Sequence, residues 1–177
     1  VSRNLNWHSQ NVNEVMFNLI DSHDTPRALT RAKGNIERMK LLFTTLLTFP
    51  GTPVIYYGDE IGMMGGQDPA NRACMEWDET KQNRDLFDHV VQLIALRKQH
   101  PVLANAGTYH FQRIDDTKQT FVVERRQGEN IYLLVVNLSE EEQSLSFEGT
   151  YESLLDATTL SGTIQVKAVS ALLLRHV

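Results

Sequence analysis

An α/β segment followed by an all-β domain is the architecture this 177-residue sequence predicts, and three observations carry it. Two short apolar runs, each ending in charged residues, flank a segment of helical periodicity, the pattern of a strand–helix–strand unit with parallel strands. A second helical segment follows. After Pro101 the period shortens to strand-like runs separated by turn residues, as in an antiparallel sheet. The expected division is 1–101 for the α/β part and 102–177 for a β-sandwich.

Val1 to Glu14 is polar and without a clear period, so it is expected to be a loop or the remnant of an element. The first strand is expected over about Val15 to Asp21, and beyond it lies the polar cluster Ser22-His23-Asp24-Thr25-Pro26-Arg27. Buried strands of α/β proteins present functional side chains at their carboxyl ends, which makes this turn the first place to look for chemistry. Thr25-Pro26 suits an N-cap followed by Pro at the first helical position. Capping alone is the plain alternative reading of Asp24 and Thr25.

Ile36, Met39, Leu42, Phe43, Leu46 and Leu47 recur at spacings of three and four, which predicts a helix over Ile36 to Thr48 with Arg38 and Lys40 off its apolar face. Phe49-Pro50-Gly51 stops it. Pro53 opens the β-branched and aromatic run Val54-Ile55-Tyr56-Tyr57, bounded by Gly58, which predicts the second strand. It too ends in charge, at Asp59-Glu60, and the parallel pairing places Asp21, His23, Asp24, Asp59 and Glu60 at one sheet edge. The plain reading of Asp59 and Glu60 is a pair of solvated carboxylates at the start of a helical turn.

A loop from Ile61 to Gln82 follows, long enough to be functional, and its Met63, Met64, Met75 and Trp77 predict a packed loop with Trp77 as an anchor. Tyr56 and Tyr57 read as core aromatics, Arg72 as a salt-bridging loop residue. A second helix is expected from about Asp85 to Gln99 and is ended by His100-Pro101. Strands are expected at Tyr109–Ile114, Thr120–Glu124, Ile131–Val136, Ile164–Val166 and Ala171–Leu174. Turn signals stand between them at Asp115-Asp116, Gln127–Asn130 and Ser161-Gly162.

With 41% apolar residues the composition is globular, and 22 acidic against 17 basic residues leave an interspersed net charge of -5. No basic footprint for nucleic acid stands out. No apolar run approaches the roughly 20 residues of a membrane span. Val1–His8 lacks the apolar core of a signal peptide, and the single Cys74 forms no internal disulfide, so a reducing, cytoplasmic location is expected. The non-Met start fits either processing or a piece of a longer protein.

Ser22-His23-Asp24 is not a nucleophilic triad, because triads draw on residues distant in sequence. The acidic residues lack calcium-loop spacing and no His/Cys pairs fit zinc, so neither metal nor cofactor is expected from the residues. What favours a site is the convergence of several polar groups at one sheet edge beneath a long loop.

These residues resemble a known family. Phe17 through Asp24 looks like the fourth conserved segment of the α-amylase superfamily of glycosidases, on the seventh strand of a (β/α)8 barrel. Pro50 through Gly62 is similar to the eighth strand and its loop, Asp68 through Asp78 to the segment after it, and Leu96 through Leu103 to the end of the last barrel helix. The family continues into an antiparallel β-sandwich. The resemblance thus implies the last two βα units of the barrel plus a C-terminal sandwich, and Cys74 before Met75 points to the neopullulanase, cyclomaltodextrinase and maltogenic amylase branch.

The family's reaction is retaining hydrolysis, in which one carboxylate forms a glycosyl-enzyme and another acts as acid and then base. The resemblance places both on earlier strands, before this chain begins. Asp24 matches the third carboxylate, the transition-state stabiliser that holds sugar hydroxyls at the cleavage subsite, and His23 its hydrogen-bonding neighbour. Asp68 and Arg72 match loop positions that touch sugars on the glycone side.

The implied parent acts on an α-glucan oligosaccharide or cyclodextrin, with calcium elsewhere in it left open. The isolated chain is expected to be inactive. It is also expected to pair, as a homo-oligomer or with the missing N-terminal portion, because two barrel strands alone expose a parallel edge. Two alternatives stay open: a non-catalytic carbohydrate-binding or assembly β-sandwich module, and a sister activity such as an α-1,6-glucosidase or glucosyl transferase.

Overall fold

A computed structural model describes residues 7–177; the expectation for Val1 to Asn6 lies outside the described residues. The described part of the segment expected to be a loop contains a short helix, α1 (Gln10–Asn13), exposed along most of its length. Strand β1 (Phe17–Leu19) pairs in parallel with β2 (Thr52–Val54), Phe17 opposite Thr52. Both are shorter than expected: Asp21 lies beyond the end of β1, and Ile55-Tyr56-Tyr57 has already left the ladder.

Helix α2 (Ala28–Arg31) follows the polar turn, and its N-cap position is Arg27. Thr25 is not the cap: its hydroxyl accepts from the Ser22 N–H at 3.3 Å. The first-turn N–H of Ala28 is met instead by the buried Asp21 carboxylate from seven residues upstream. An orphan helical donor has been paired with a charged acceptor, the strong form of the capping bond.

Helix α3 (Ile36–Thr48) matches the expected span. Asn35 caps it, accepting from the Arg38 N–H at 3.0 Å. Met39, Phe43, Leu46 and Leu47 pack against Leu86, Val90 and Leu93 of α4 (Arg84–Gln99), while Leu41 turns to the following sheet. Asn83 caps α4 through the Leu86 N–H at 2.8 Å, and Arg97 and Lys98 occupy its last turn, where the helix dipole favours cations.

The loop between β2 and α4 contains 3-10 turns at Asp59–Ile61, Ala70–Arg72 and Glu79–Lys81. Trp77 does not anchor it: the residue is 80% exposed, and Met64 is exposed as well. What holds the loop is polar, notably Asn71 and Arg72 reaching back to the His23 carbonyl. Tyr57 is half out in solvent, its hydroxyl donating to the Ala73 carbonyl at 2.7 Å.

The rest of the chain forms a six-stranded antiparallel sheet of order β3-β4-β5-β8-β6-β7. Its strands are β3 (Thr108–Asp115), β4 (Thr120–Gln127), β5 (Asn130–Asn137), β6 (Gln143–Ser153), β7 (Thr159–Val166) and β8 (Ser170–His176). Strand β6 was not among those expected. Ser161-Gly162, expected as a turn, lies inside β7, opposite the irregularity of β6 between Phe147 and Thr150. Strand β6 meets β8 only through Tyr151 to Ser153, so the sheet folds over on itself and encloses a sandwich-like core.

That core joins Val122, Leu133, Val135 and Leu174 to Leu145, Ile164 and Val166. The alternate residues Val123, Leu134 and Val136 face the other way, onto Leu41 and Phe49 of the α/β part. Strand β5 is therefore buried on both faces, which explains its continuous apolar run in an antiparallel setting.

Candidate functional site

The turn between β1 and α2 carries two exposed functional groups on a buried foundation. His23 Nε2 lies 3.2 Å from Asp24 Oδ1, and both side chains are open to solvent. Arg72 comes over from the long loop. Its Nη2 is 3.9 Å from Asp24 Oδ1, its Nε is 3.4 Å from Asp68 Oδ1, and the same Nε donates to the His23 carbonyl at 3.2 Å. His23, Asp24, Asp68 and Arg72, distributed over two segments of the sequence, thus share one surface. The salt-bridging expected of Arg72 is present, and it ties the two segments together.

Beneath them lies a group that does not behave as expected. Asp59 is 2% exposed, so it is no solvated carboxylate. Its Oδ1 is 3.1 Å from Nη1 of Arg27, which is fully buried and also donates to the Tyr57 carbonyl at 2.6 Å. The rings of Tyr56 and Tyr57 stand against the buried Arg27 guanidinium with centroids 4.6 and 4.7 Å from its carbon, a cation–π arrangement. Burial and the hydrogen-bonded Asp21 carboxylate push the Asp59 carboxyl up to about 8, against the pull of Arg27.

Asp21 and Arg27 bracket the turn. Asp21 grips the N–H of Ala28, and the Arg27 N–H donates to the Gly65 carbonyl at 3.0 Å. Asn71, buried to 1% exposure, grips the turn from the side. Arg27 and Asn71 were not singled out by sequence. Arg27 gives a faint signal as the one basic residue in the turn, whereas Asn71 gives none, since its partners are main-chain carbonyls.

The arrangement offers an exposed carboxylate flanked by an imidazole and a guanidinium, a set suited to hydroxyl-rich ligands. Among the described residues no group of three or more His, Cys, Asp or Glu is placed to hold a metal ion. No helix among them is long and apolar enough to cross a membrane.

Residues 1–106 match the family model for the α-amylase catalytic domain. The chain belongs to the α-amylase family. Residues 121–176 match a second family model, the β-galactosidase C-terminal domain. Within the α-amylase family, the chain is 49% identical over 137 residues to a cyclomaltodextrinase of Geobacillus thermopakistaniensis, covering 77% of this chain and 23% of that protein. It is 38% identical over 150 residues to the intracellular maltogenic amylase of Bacillus subtilis strain 168, covering 82% of this chain and 26% of the relative. A solved cyclomaltodextrinase structure superposes with a TM-score of 0.90 at 35% identity, covering 99% of this chain and 32% of that one. This α-amylase-family chain thus spans about a quarter of the length of these curated relatives.

Proposed function

We propose that this chain is the C-terminal part of a retaining glycoside hydrolase acting on α-glucan oligosaccharides or cyclodextrins. In it, Asp24 binds sugar hydroxyls at the cleavage point and stabilises the oxocarbenium-like transition state, with His23 as its hydrogen-bonding neighbour. Asp68 and Arg72 bind sugar further along the glycone side. The nucleophile and the general acid belong to an earlier part of the polypeptide, residues 1–101 to the catalytic barrel, and 102–177 to a separate sandwich.

The observation that carries the reading is the gathering of His23, Asp24, Asp68 and Arg72 on one exposed surface at the carboxyl end of a parallel strand, in a chain of this family. The relatives' names, cyclomaltodextrinase and intracellular maltogenic amylase, support the substrate class and a cytoplasmic location. No cofactor enters the scheme.

In the longer enzyme containing this chain, Asp24→Asn is expected to lower kcat on β-cyclodextrin by about 10²–10³-fold, the scale for losing one preorganised transition-state contact. The purified 177-residue chain is expected to leave β-cyclodextrin and pullulan uncut. Cleavage by the isolated chain at rates typical of whole family members, or an unaffected Asp24→Asn enzyme, defeats the proposal. A second reading, a non-catalytic sugar-binding or assembly module, is favoured by the match of residues 121–176 to a C-terminal domain. It predicts that the isolated chain retains β-cyclodextrin affinity after Asp24→Asn.

A further inference from the structure

One buried side chain holds the main chain on both sides of Asp24. Nδ2 of Asn71 donates to the His23 carbonyl at 2.8 Å and to the Thr25 carbonyl at 2.9 Å. These are the residues immediately before and after Asp24. An amide nitrogen carries two N–H donors, and both are engaged. Because both partners are carbonyl oxygens, the amide has only one acceptable orientation; the flipped form would set Oδ1 against two acceptors.

The remaining peptide groups of the turn complete the constraint. The Asp24 N–H donates to Ser22 Oγ at 3.2 Å, and the Thr25 N–H donates to the Ser22 carbonyl at 3.2 Å. Peptide planes on both sides of the Asp24 Cα are therefore pinned, which sets where its exposed carboxylate emerges. From outside the turn, Asn71 reaches both flanking carbonyls, while Arg72 Nε adds a second bond to that of His23 at 3.2 Å.

Asn71 is poorly explained as a stabilising residue alone. Its Oδ1 is buried without a hydrogen-bond partner, and a buried acceptor left unmet lowers stability. The residue is also delivered with unusual closeness. It sits in the 3-10 turn Ala70–Arg72, closed by the Arg72 N–H to the Pro69 carbonyl at 3.0 Å, and the turn is pressed against Gly65. A Cβ on Gly65 would overlap the Ala70 carbonyl oxygen and fall 2.9 Å from the Asn71 Cα.

We infer that Asn71 is a positioning residue for the Asp24 carboxylate, fixing the two carbonyls that flank it and wiring the Asp68–Arg72 segment to the turn. The inference rests on the reading of Asp24 as the transition-state stabiliser. Asn71 touches no sugar in this scheme. It acts through Asp24, whose contribution to kcat depends on placement within a fraction of an ångström.

The test is Asn71→Asp in the longer enzyme containing this chain, a change that preserves shape and replaces both donors with acceptors. With β-cyclodextrin, kcat is expected to fall about 10–100-fold while KM stays within about 3-fold, the split produced by misplacing a transition-state contact. Added to Asp24→Asn, the same change is expected to cost less than about 3-fold more, because residues acting as one unit are not additive. A lowered melting temperature with unchanged kcat in the folded enzyme, or full additivity with Asp24→Asn, overturns the inference.

If Asn71→Asp does not fold, Asn71→Ser, which keeps one short donor, is read by the same criteria. A crippled Asp24→Asn enzyme beside an intact Asn71→Asp enzyme removes this inference and leaves the proposed function standing. An intact Asp24→Asn enzyme removes both.

Discussion

Nη1 of Arg27 lies 3.1 Å from Oδ1 of Asp59, and solvent reaches neither group. The pair spans 32 positions of sequence and joins the turn after β1 to the segment after β2, so it closes the foundation under His23 and Asp24. Removing the guanidinium leaves the buried Asp59 carboxyl, the Tyr57 carbonyl and two tyrosine faces without their partner. Arg27→Ala is expected to destabilise the chain by about 2–5 kcal/mol in urea unfolding, the scale for truncating a large side chain that is fully buried. Arg27→Lys is expected not to restore it, because an ammonium lacks the planar face that lies against the Tyr56 and Tyr57 rings. Full rescue by lysine would show that charge alone is needed.

Asp59 gives this foundation a pH dependence whose sign is opposite to that of an ordinary ion-paired carboxylate. Its folded value of about 8 lies above the unfolded one, so between roughly pH 4 and 8 the folded state keeps a proton that the unfolded chain has released. The contribution is fully present below about pH 4 and is lost as pH rises towards 8. Asp78, Glu124 and Asp156 are held below the ordinary carboxylate value by hydrogen bonds and run the other way, in a more acidic window. Asp59→Asn, which cannot titrate, is expected to gain in stability relative to the parent as pH rises from 4 to 8. Parallel pH profiles of the two melting temperatures would contradict this.

Gly65 and Gly66 make an internally controlled pair. A Cβ at Gly65 meets main-chain atoms of Ala70 and Asn71, whereas one at Gly66 meets nothing within 4 Å. Gly65→Ala is expected to destabilise by about 1–3 kcal/mol through overpacking and to shift the segment carrying Asp68 and Arg72, read as altered amide chemical shifts for Ala70 to Arg72. Gly66→Ala is expected to change neither by a measurable amount. Equal effects at both sites would mean that backbone flexibility, not close approach, is what these glycines supply.

Phe17 is 72% exposed on β1, and Val15 and Leu19 are exposed beside it. An apolar row on a short parallel sheet with a free edge invites association. The 177-residue chain is expected to elute above its monomer size in size-exclusion chromatography, and Phe17→Ser with Leu19→Ser is expected to return it towards the monomer. A parent chain that is monomeric at micromolar concentration would sink this expectation.

How much of this was legible in the sequence follows the range of the forces involved. Helix α3 was placed to the residue because its apolar spacing and its stop at Phe49-Pro50-Gly51 are both local. Strand β6 was missed although Leu145 and Phe147 alternate with polar residues, because Gly149 interrupts the run where the strand bends and its long register with β7 is not local information. The surface residues His23, Asp24, Asp68 and Arg72 could be named from family-like segments. The buried layer could not: Asp59 reads as a solvated acid until Arg27 is brought to it, and Asn71 binds carbonyls that every residue possesses. Trp77 was misjudged because aromatic content says nothing about which loop residues find a surface to cover.

The joint between the α/β part and the sheet is built on two arginines. Arg125 of β4 donates to the carbonyls of Thr48, Leu103, Ala104, Gly107 and Thr108, and Arg97 of α4 to those of Leu47, Phe49, Gly51 and Leu103. Every acceptor is main chain, and the Leu103 oxygen serves both guanidinium groups. These bonds do not depend on which side chains the accepting residues carry, whereas neither arginine has a substitute that reaches so many carbonyls. The docking of sheet on barrel helix thus depends, for these bonds, on two side chains on one side and on the path of the main chain on the other. A change at either arginine would therefore free several main-chain carbonyls at once, where a change of any one accepting residue's side chain would free none.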